Sequence, residues 1–139
     1  MKFEFLAVAG LFDTRKKMVR RPMLPLILKD KNGNDFEVFS VIDSGADTTT
    51  LNIEYASVLG IKLERKKEII GIGNDKVPVY EGVFPFSIKH MNISLTVPAW
   101  YVDSQNVDIL LGRETFFESF KIKFEKDHNT FELIQVRRP

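Results

Sequence analysis

The stretch Val41-Ile42-Asp43-Ser44-Gly45-Ala46-Asp47-Thr48-Thr49 is the most informative segment of this chain. Two β-branched residues, which favour strands, place a carboxylate at the end of a strand, and the small residues after it let the backbone turn tightly. Asp, Ser and Gly are also common in ordinary turns, because their side chains or conformational freedom suit such turns. The significance of the tripeptide therefore depends on the strand before it and on a matching element downstream.

Outside this stretch, short apolar runs alternate with turn residues, which is typical of an all-β domain. Strands are predicted over residues 3–11, 23–29, 36–42, 93–102 and 107–111, and hairpins over 69–88 and 120–136. Short helices are predicted over residues 53–60, capped by Asn52 and ended by Gly60, and over 113–120. Asn32-Gly33 favours a type I′ hairpin turn, in which both central residues have positive φ. We find no internal repeat or linker, so one domain over residues 1–139, with its core at about 20–136, is expected.

Composition excludes several classes of function. Twenty basic and nineteen acidic residues leave a net charge of +1, so no broad attraction to nucleic acid or membrane is expected. Cysteine is absent and there are only two histidines, so neither a thiolate metal site, a cysteine nucleophile nor any cofactor is predicted. Glu4 interrupts the apolar run at residues 3–12, which therefore indicates a strand rather than a signal peptide. A cytoplasmic location is expected.

The carboxylate of Asp43 has a chemical use only beside a second carboxylate. Two such groups at hydrogen-bonding distance cannot both ionise, so the pair holds one proton and offers an acid and a base together. Only one Asp-Ser-Gly or Asp-Thr-Gly occurs in the chain, because Asp13-Thr14 is followed by Arg15 and Asp103-Ser104 by Gln105.

Three motifs in order carry a resemblance to a known family. Residues 41–51 resemble the active-site loop of the retropepsin-like aspartic proteases, which have Asp-Thr/Ser-Gly-Ala-Asp after a hydrophobic strand. Ile70-Gly71-Ile72-Gly73 resembles the Gly-rich flap hairpin of that family, and residues 108–113 resemble its second signature, an apolar strand ending in Gly-Arg. The resemblance implies an all-β, single-domain acid-protease fold: a closed β-barrel with a flap hairpin and one or two short helices.

The resemblance also implies roles for individual residues. Asp43 would be the catalytic acid, and the four residues after it, Ser44, Gly45, Ala46 and Asp47, would complete the active-site loop. Ser44 stands where the family has Thr or Ser, whose hydroxyl bonds across the subunit interface. Gly45 and Ala46 would line the substrate cleft. Asp47 is expected to pair with Arg113, which would hold the loop to the helix that follows.

The remaining family positions concern the flap and the support of the loop. Ile70, Gly71, Ile72 and Gly73 would form the flap that contacts substrate, with Ile72 as its apolar tip. Gly112 and Arg113 would support the active-site loop. The C-terminal hairpin is longer than the ending of the viral enzymes, so the contacts between subunits are expected to differ from theirs.

The resemblance implies an aspartic endopeptidase that forms a C2 homodimer. It would cleave a polypeptide substrate through water activated by the Asp43 carboxylates of the two subunits. One alternative is a catalytically silent or latent module of the same fold, kept for dimerisation or peptide binding. Another is a small barrel that carries an apolar ligand, suggested by twelve phenylalanines. Aromatic residues also suit the core positions of strands, which would explain them without a ligand.

Overall fold

Strands dominate the fold, and the computed structural model describes residues 1–70, 76–104 and 109–136. The strands in these ranges are β1 (Lys2–Glu4), β2 (Leu6–Phe12), β3 (Met18–Arg21), β4 (Met23–Lys29), β5 (Asp35–Ile42), β6 (Thr49–Asn52), β7 (Lys66–Ile70), β8 (Lys76–Ile88), β9 (Ile93–Val102), β10 (Ile109–Leu111), β11 (Phe120–Glu125) and β12 (Thr130–Gln135). The helices are α1 (Glu54–Leu59) and α2 (Phe116–Ser119). The predicted all-β class is confirmed.

Six strands close into a barrel in the order β4, β5, β10, β6, β9 and β8. The barrel closes where Leu26 and Ile27 of β4 pair with Ile88 and Ser87 of β8. Strand β7 pairs with the outer part of β8, residues 66–70 against 76–80, and the two strands are the arms of the predicted flap hairpin. A second sheet, in the order β1, β12 and β11, and a separate hairpin of β2 and β3 complete the strands of the described ranges.

The barrel encloses an apolar core. Alternate residues of β4, Leu24, Leu26 and Leu28, are fully buried, as expected for a strand with one face turned inward. The ring of Phe116 in α2 lies 6.4 Å from that of Phe86 in β8, which fastens the helix to the barrel. Half of the twelve phenylalanines, at positions 5, 84, 86, 116, 120 and 131, are buried, so their part in the core accounts for them without an apolar ligand.

The first predicted strand, residues 3–11, is divided between two sheets. Strand β1 pairs with β12, whereas β2 pairs with β3. Phe5 lies between them with its side chain buried, and its N–H donates to the carbonyl of Asn129 at 2.7 Å. The chain changes partner at Phe5 because this residue is anchored in the core, a tertiary effect that local periodicity does not show.

The prediction of a type I′ turn at Asn32-Gly33 was wrong. Only Gly33 has positive φ, at 86°. The carboxylate of Asp30 accepts the N–H groups of Asn32 and Asn34 at 2.8 and 2.9 Å, and the Asp30 N–H donates to the Asn34 carbonyl. These bonds favour a longer loop over the two-residue turn, and the backbone bond from Asn34 is the main cause that lowers the pKa of Asp30.

Both helices are shorter than predicted. Helix α1 begins where Asn52 Oδ1 accepts the N–H of Glu54 at 2.9 Å, and it ends at Gly60, whose φ is 68°. Helix α2 begins at Phe116 rather than at residue 113, because Thr115 has a φ of 67°, which is incompatible with a right-handed helix. A 3₁₀ helix spans Lys126–His128, and no helix of the described residues is long and apolar enough to cross a membrane.

Candidate active site

Asp43 lies directly after β5, beside the end of the parallel strand β10. Ile42 is in register with Leu111, and the Asp43 N–H donates to the Leu111 carbonyl at 3.0 Å. The carboxylate Oδ1 accepts the N–H of Gly45 at 3.0 Å, which fixes its orientation through the loop's own backbone. The side chain is half-buried, whereas Ser44 and Gly45 are exposed. One oxygen of Asp43 is therefore held by the loop, at a point that another molecule can approach.

The segment after β10 holds the active-site loop by backbone hydrogen bonds. The Arg113 N–H donates to the Ala46 carbonyl at 2.8 Å, and the Glu114 N–H donates to the Asp47 carbonyl at 2.9 Å. Together with the bond from Asp43 to Leu111, they tie both ends of the loop to one short stretch of chain. The geometry of the loop thus depends on a segment almost seventy residues further along the sequence.

Gly112 is placed where no larger residue fits. A Cβ atom at this position would lie 2.5 Å from the carbonyl carbon and 2.7 Å from the carbonyl oxygen of Thr48, and 2.8 Å from the backbone nitrogen of Thr49. All three atoms belong to the backbone, so none can swing aside. The glycine of the Gly-Arg pair is therefore required by the close approach of β10 to the active-site loop.

The side chain of Thr49 also supports the close approach of Gly112 to the active-site loop. This role of Thr49 was not predicted from the sequence. Its side chain is fully buried, and Oγ1 accepts the N–H of Gly112 at 3.1 Å. Three consecutive threonines, residues 48–50, follow the loop, so the sequence shows the hydroxyls but not which of them faces inward. Only the register of β6 against β9 and β10 assigns that place to Thr49.

Replacement of Thr49 by Val should lower the free energy of unfolding by about 1–3 kcal/mol, because it leaves the buried N–H of Gly112 without a partner. The two side chains have almost the same shape, so loss of packing contributes little. Urea denaturation of both proteins measures the difference. Thr50→Val, at a half-buried neighbour, is the matched control and should cost less. Equal stabilities of Thr49→Val and the parent would contradict a supporting role for this hydroxyl.

Asp47 and Arg113 form an ion pair between the loop and the segment that supports it. Arg113 Nη2 donates to Asp47 Oδ1, with 56% of the arginine and 82% of the aspartate side chain exposed. Exposed pairs contribute little to stability, because water screens them. The backbone bonds of the same segment, rather than this pair, therefore carry most of the support of the loop.

The flap begins beside the active-site loop, but its tip lies outside the described residues. Ile70, at the end of β7, is 74% exposed. Gly71, Ile72 and Gly73 fall in residues 71–75, which the structure does not describe, so their predicted contact with substrate stays a prediction. Asp108 of the second signature, and Val107 of the strand predicted over residues 107–111, likewise lie outside the described ranges.

The base of the flap carries a polar contact that the sequence did not reveal. Lys67 Nζ of β7 lies 2.5 Å from Glu81 Oε1 of β8, and 6.0 Å from the centre of the Trp100 ring in β9. The hydrogen bond from Lys67 holds the pKa of Glu81 below its usual value. The bridge therefore stabilises the folded state fully at pH values above the usual pKa of a glutamate. This stabilisation is lost as the pH falls through the lowered pKa of Glu81.

A groove of about 450 Å³ runs between the base of the flap and the active-site loop, with Thr48, Lys67, Trp100 and Glu114 among its lining residues. A larger cavity, of about 790 Å³, lies elsewhere, near the end of α1, and contains no residue of the loop. Among the described residues, no group of three or more potential metal ligands comes together.

A comparison of the sequence with protein families decides the family. A family model described as aspartyl protease matches residues 31–115, well over half of the chain. The chain belongs to the aspartyl protease family. The matched segment of this aspartyl protease begins before β5 and ends after Arg113, so it contains Asp43 and the segment that holds its loop.

A solved structure shows the same fold. The retroviral protease-like domain of Ddi1 from Leishmania major has a TM-score of 0.55 and 15% sequence identity, over 85% of this chain and 91% of that chain. A weaker similarity is to EIAV protease in complex with the inhibitor HBY-793, with a TM-score of 0.43 and 24% identity over 74% of this chain and 88% of that one. Among curated proteins, none matches the sequence. The aspartyl protease family and the retropepsin-like fold expected from the three motifs are thus confirmed.

Proposed function

We propose that this chain is one subunit of a homodimeric aspartic endopeptidase, in which the Asp43 carboxylates of two copies form the catalytic pair. The observation that carries this proposal is how Asp43 is held. The Gly45 N–H orients its carboxylate, residues 111–114 hold its loop, and its half-buried side chain can still be approached by another molecule. The other carboxylate of the loop, Asp47, is engaged by Arg113. In the proposed enzyme, the partner carboxylate of Asp43 is therefore the Asp43 of the second chain.

The proposed reaction follows from one proton shared by two carboxylates. The ionised Asp43 takes a proton from a water molecule, whose oxygen attacks the carbonyl carbon of the scissile peptide bond. The protonated Asp43 of the other subunit donates to the carbonyl oxygen as negative charge develops there. The tetrahedral intermediate then collapses: the C–N bond breaks as the first Asp43 gives the proton that it took from water to the leaving nitrogen, and a hydroxyl of the intermediate returns its proton to the other Asp43, which restores the pair. Ser44 and Gly45, both exposed beside Asp43, lie where a second loop and a peptide would make contact.

The test of this proposal is the dependence of peptide cleavage on protein concentration. Below the dissociation constant of the dimer, activity on a diverse peptide library should rise with about the square of the protein concentration, because each active site needs two chains. Sedimentation equilibrium over the same concentrations reports the fraction of dimer. Assays at several pH values between 3.5 and 7.5 search for the pH at which the pair is active, because the surroundings of a carboxylate pair set how it titrates. Full activity per chain in a preparation shown to be monomeric would contradict the proposal.

The alternative is a silent or latent module of the same fold that binds peptides or dimerises without cleaving. It predicts a well-folded dimer that gives no cleavage at any pH, and peptide binding that survives Asp43→Asn. The intact support of the loop, through Gly112 and Thr49, favours the active enzyme, because these contacts serve the geometry of Asp43.

A further inference from the structure

The hairpin of β2 and β3 stands apart from the rest of the strands. In the described part of the chain these two strands pair only with each other, as a two-stranded sheet. Phe12 pairs directly with Met18 near the turn, with 58% and 50% of their side chains exposed, and Leu11 is 38% exposed. Opposed residues of a strand pair share one face of the hairpin, so Phe12 and Met18 form one apolar patch. We name residues 6–21 the arm.

The arm gains little stability from its own strand pairing, and a groove lies between Met18 and the residues Lys126 and Asn129 of the same chain. An isolated two-stranded hairpin is marginally stable in water, because it has no sheet face to bury. Gly10, with a φ of 76°, and a change of register between Ala7 and Phe12 make its pairing irregular. The exposed apolar side chains at its end would be stabilised by burial against another surface.

The arm leaves the barrel beside the active site. Pro22 follows directly after β3, and its carbonyl accepts the N–H of Ile42 at 3.1 Å. Ile42 is the residue before Asp43. In a dimer that brings two Asp43 carboxylates within hydrogen-bonding distance, the residues around Asp43 lie at the two-fold axis. The second subunit therefore packs against the root of the arm.

We propose that the arm is a docking element that packs against the second subunit of the dimer. Phe12 and Met18 become buried in this contact. This inference rests on the proposed function, because it needs the pair of Asp43 residues to place the axis. It goes further in naming the surface that holds the two subunits together. The arm lies in sequence before the segment that the aspartyl protease model matches, residues 31–115.

The distribution of charge indicates which part of the second subunit the arm contacts. The arm contains five basic residues, Arg15, Lys16, Lys17, Arg20 and Arg21, and one acidic residue, Asp13, for a net charge of +4. The other residues of the chain comprise fifteen basic and eighteen acidic ones, for a net charge of −3. Two arms would repel each other, whereas an arm and the body of the other subunit attract. The arm therefore docks on the body of its partner rather than on the partner's arm.

The experiment compares the dimer dissociation constant of the parent with that of Phe12→Ser/Met18→Ser. Loss of two buried apolar side chains should raise this constant more than about tenfold. Val58→Ser, which removes a 43% exposed side chain from α1, is the control and should leave the constant unchanged. Sedimentation equilibrium at 50 and 500 mM salt measures all three, and salt should weaken the parent dimer. Circular dichroism checks that each variant is folded, since the replaced side chains are exposed in the single chain.

The possible outcomes distinguish the docking role of the arm from the proposed catalytic pair of Asp43 residues. A dissociation constant unchanged in Phe12→Ser/Met18→Ser, in a parent that is dimeric and active, overturns the docking role and leaves the proposed enzyme intact. A parent that cleaves peptides as a monomer overturns both proposals. If the double variant dimerises normally but loses binding to vesicles of phosphatidylserine and phosphatidylcholine, the arm contacts anionic lipid instead. A raised constant, with normal cleavage once the variant is concentrated enough to dimerise, supports the arm.

Discussion

Asp43→Asn is expected to reduce peptide cleavage at least about a thousandfold, because an amide can neither activate water as a base nor share the proton of its partner. Asn has the shape of Asp, and its carbonyl oxygen can still accept the Gly45 N–H that orients the side chain. The fold and the dimer should therefore survive. Cleavage of a peptide library by parent and variant, at concentrations where both are dimeric, measures the loss.

Mixed subunits make this result specific for a pair of carboxylates. When equal amounts of parent and Asp43→Asn chains exchange freely, about one dimer in four keeps two Asp43 residues. Activity per parent chain should then fall to about half of that in the unmixed parent. Asp127→Asn, at another exposed acid, is the matched control and should leave activity unchanged. A mixture in which each parent chain keeps its full activity would show that one Asp43 suffices.

Gly112→Ala is expected to destabilise the protein by on the order of 3 kcal/mol or more, because the added methyl group overlaps backbone atoms. It would lie 2.5 Å from the carbonyl carbon of Thr48, closer than any real contact allows. The strain can be relieved only by separating β10 from the active-site loop, so activity should fall with stability. Thermal and urea denaturation measure the change.

Gly45→Ala is the matched control for this effect. A Cβ atom there would meet only Asp43 Oδ1, at 3.4 Å, which is an ordinary contact. Its stability should stay within about 1 kcal/mol of the parent, as for most substitutions outside crowded sites. Gly112→Ala with the stability of the parent would show that β10 can shift away from the loop at little cost.

The sequence was sufficient to predict the features that depend on a short motif. Asp43 to Asp47 and the pair Gly112-Arg113 are short motifs, and their order predicted the family, the barrel and the contact between Asp47 and Arg113. The alternating burial of β4 follows directly from its apolar residues, because a strand turns successive side chains to opposite faces. The helix C-terminus at Gly60 was predicted for the same local reason, since it needs a residue of positive φ.

The features that the sequence did not show depend on residues far apart in the chain. Asn32-Gly33 failed to form a type I′ turn because Asp30 binds the backbone beyond it. Thr49 could not be distinguished from its neighbours until β6 was placed against β10. The contact of Lys67 with Glu81 needed the pairing of the flap strands, and the division of residues 3–11 needed the burial of Phe5.

The backbone bonds that hold the Asp43 loop have a consequence for the order of events during synthesis. Strand β5 meets its parallel neighbour β10 only after a connection of some seventy residues, and closing such a loop is entropically costly and slow. A ribosome-bound chain that ends before Leu111 has Asp43 but lacks the backbone partners of its loop in residues 111–114. In the proposed enzyme, the geometry of Asp43 would therefore be completed only after these residues had been synthesised, which would delay cleavage of the nascent polypeptide and its neighbours.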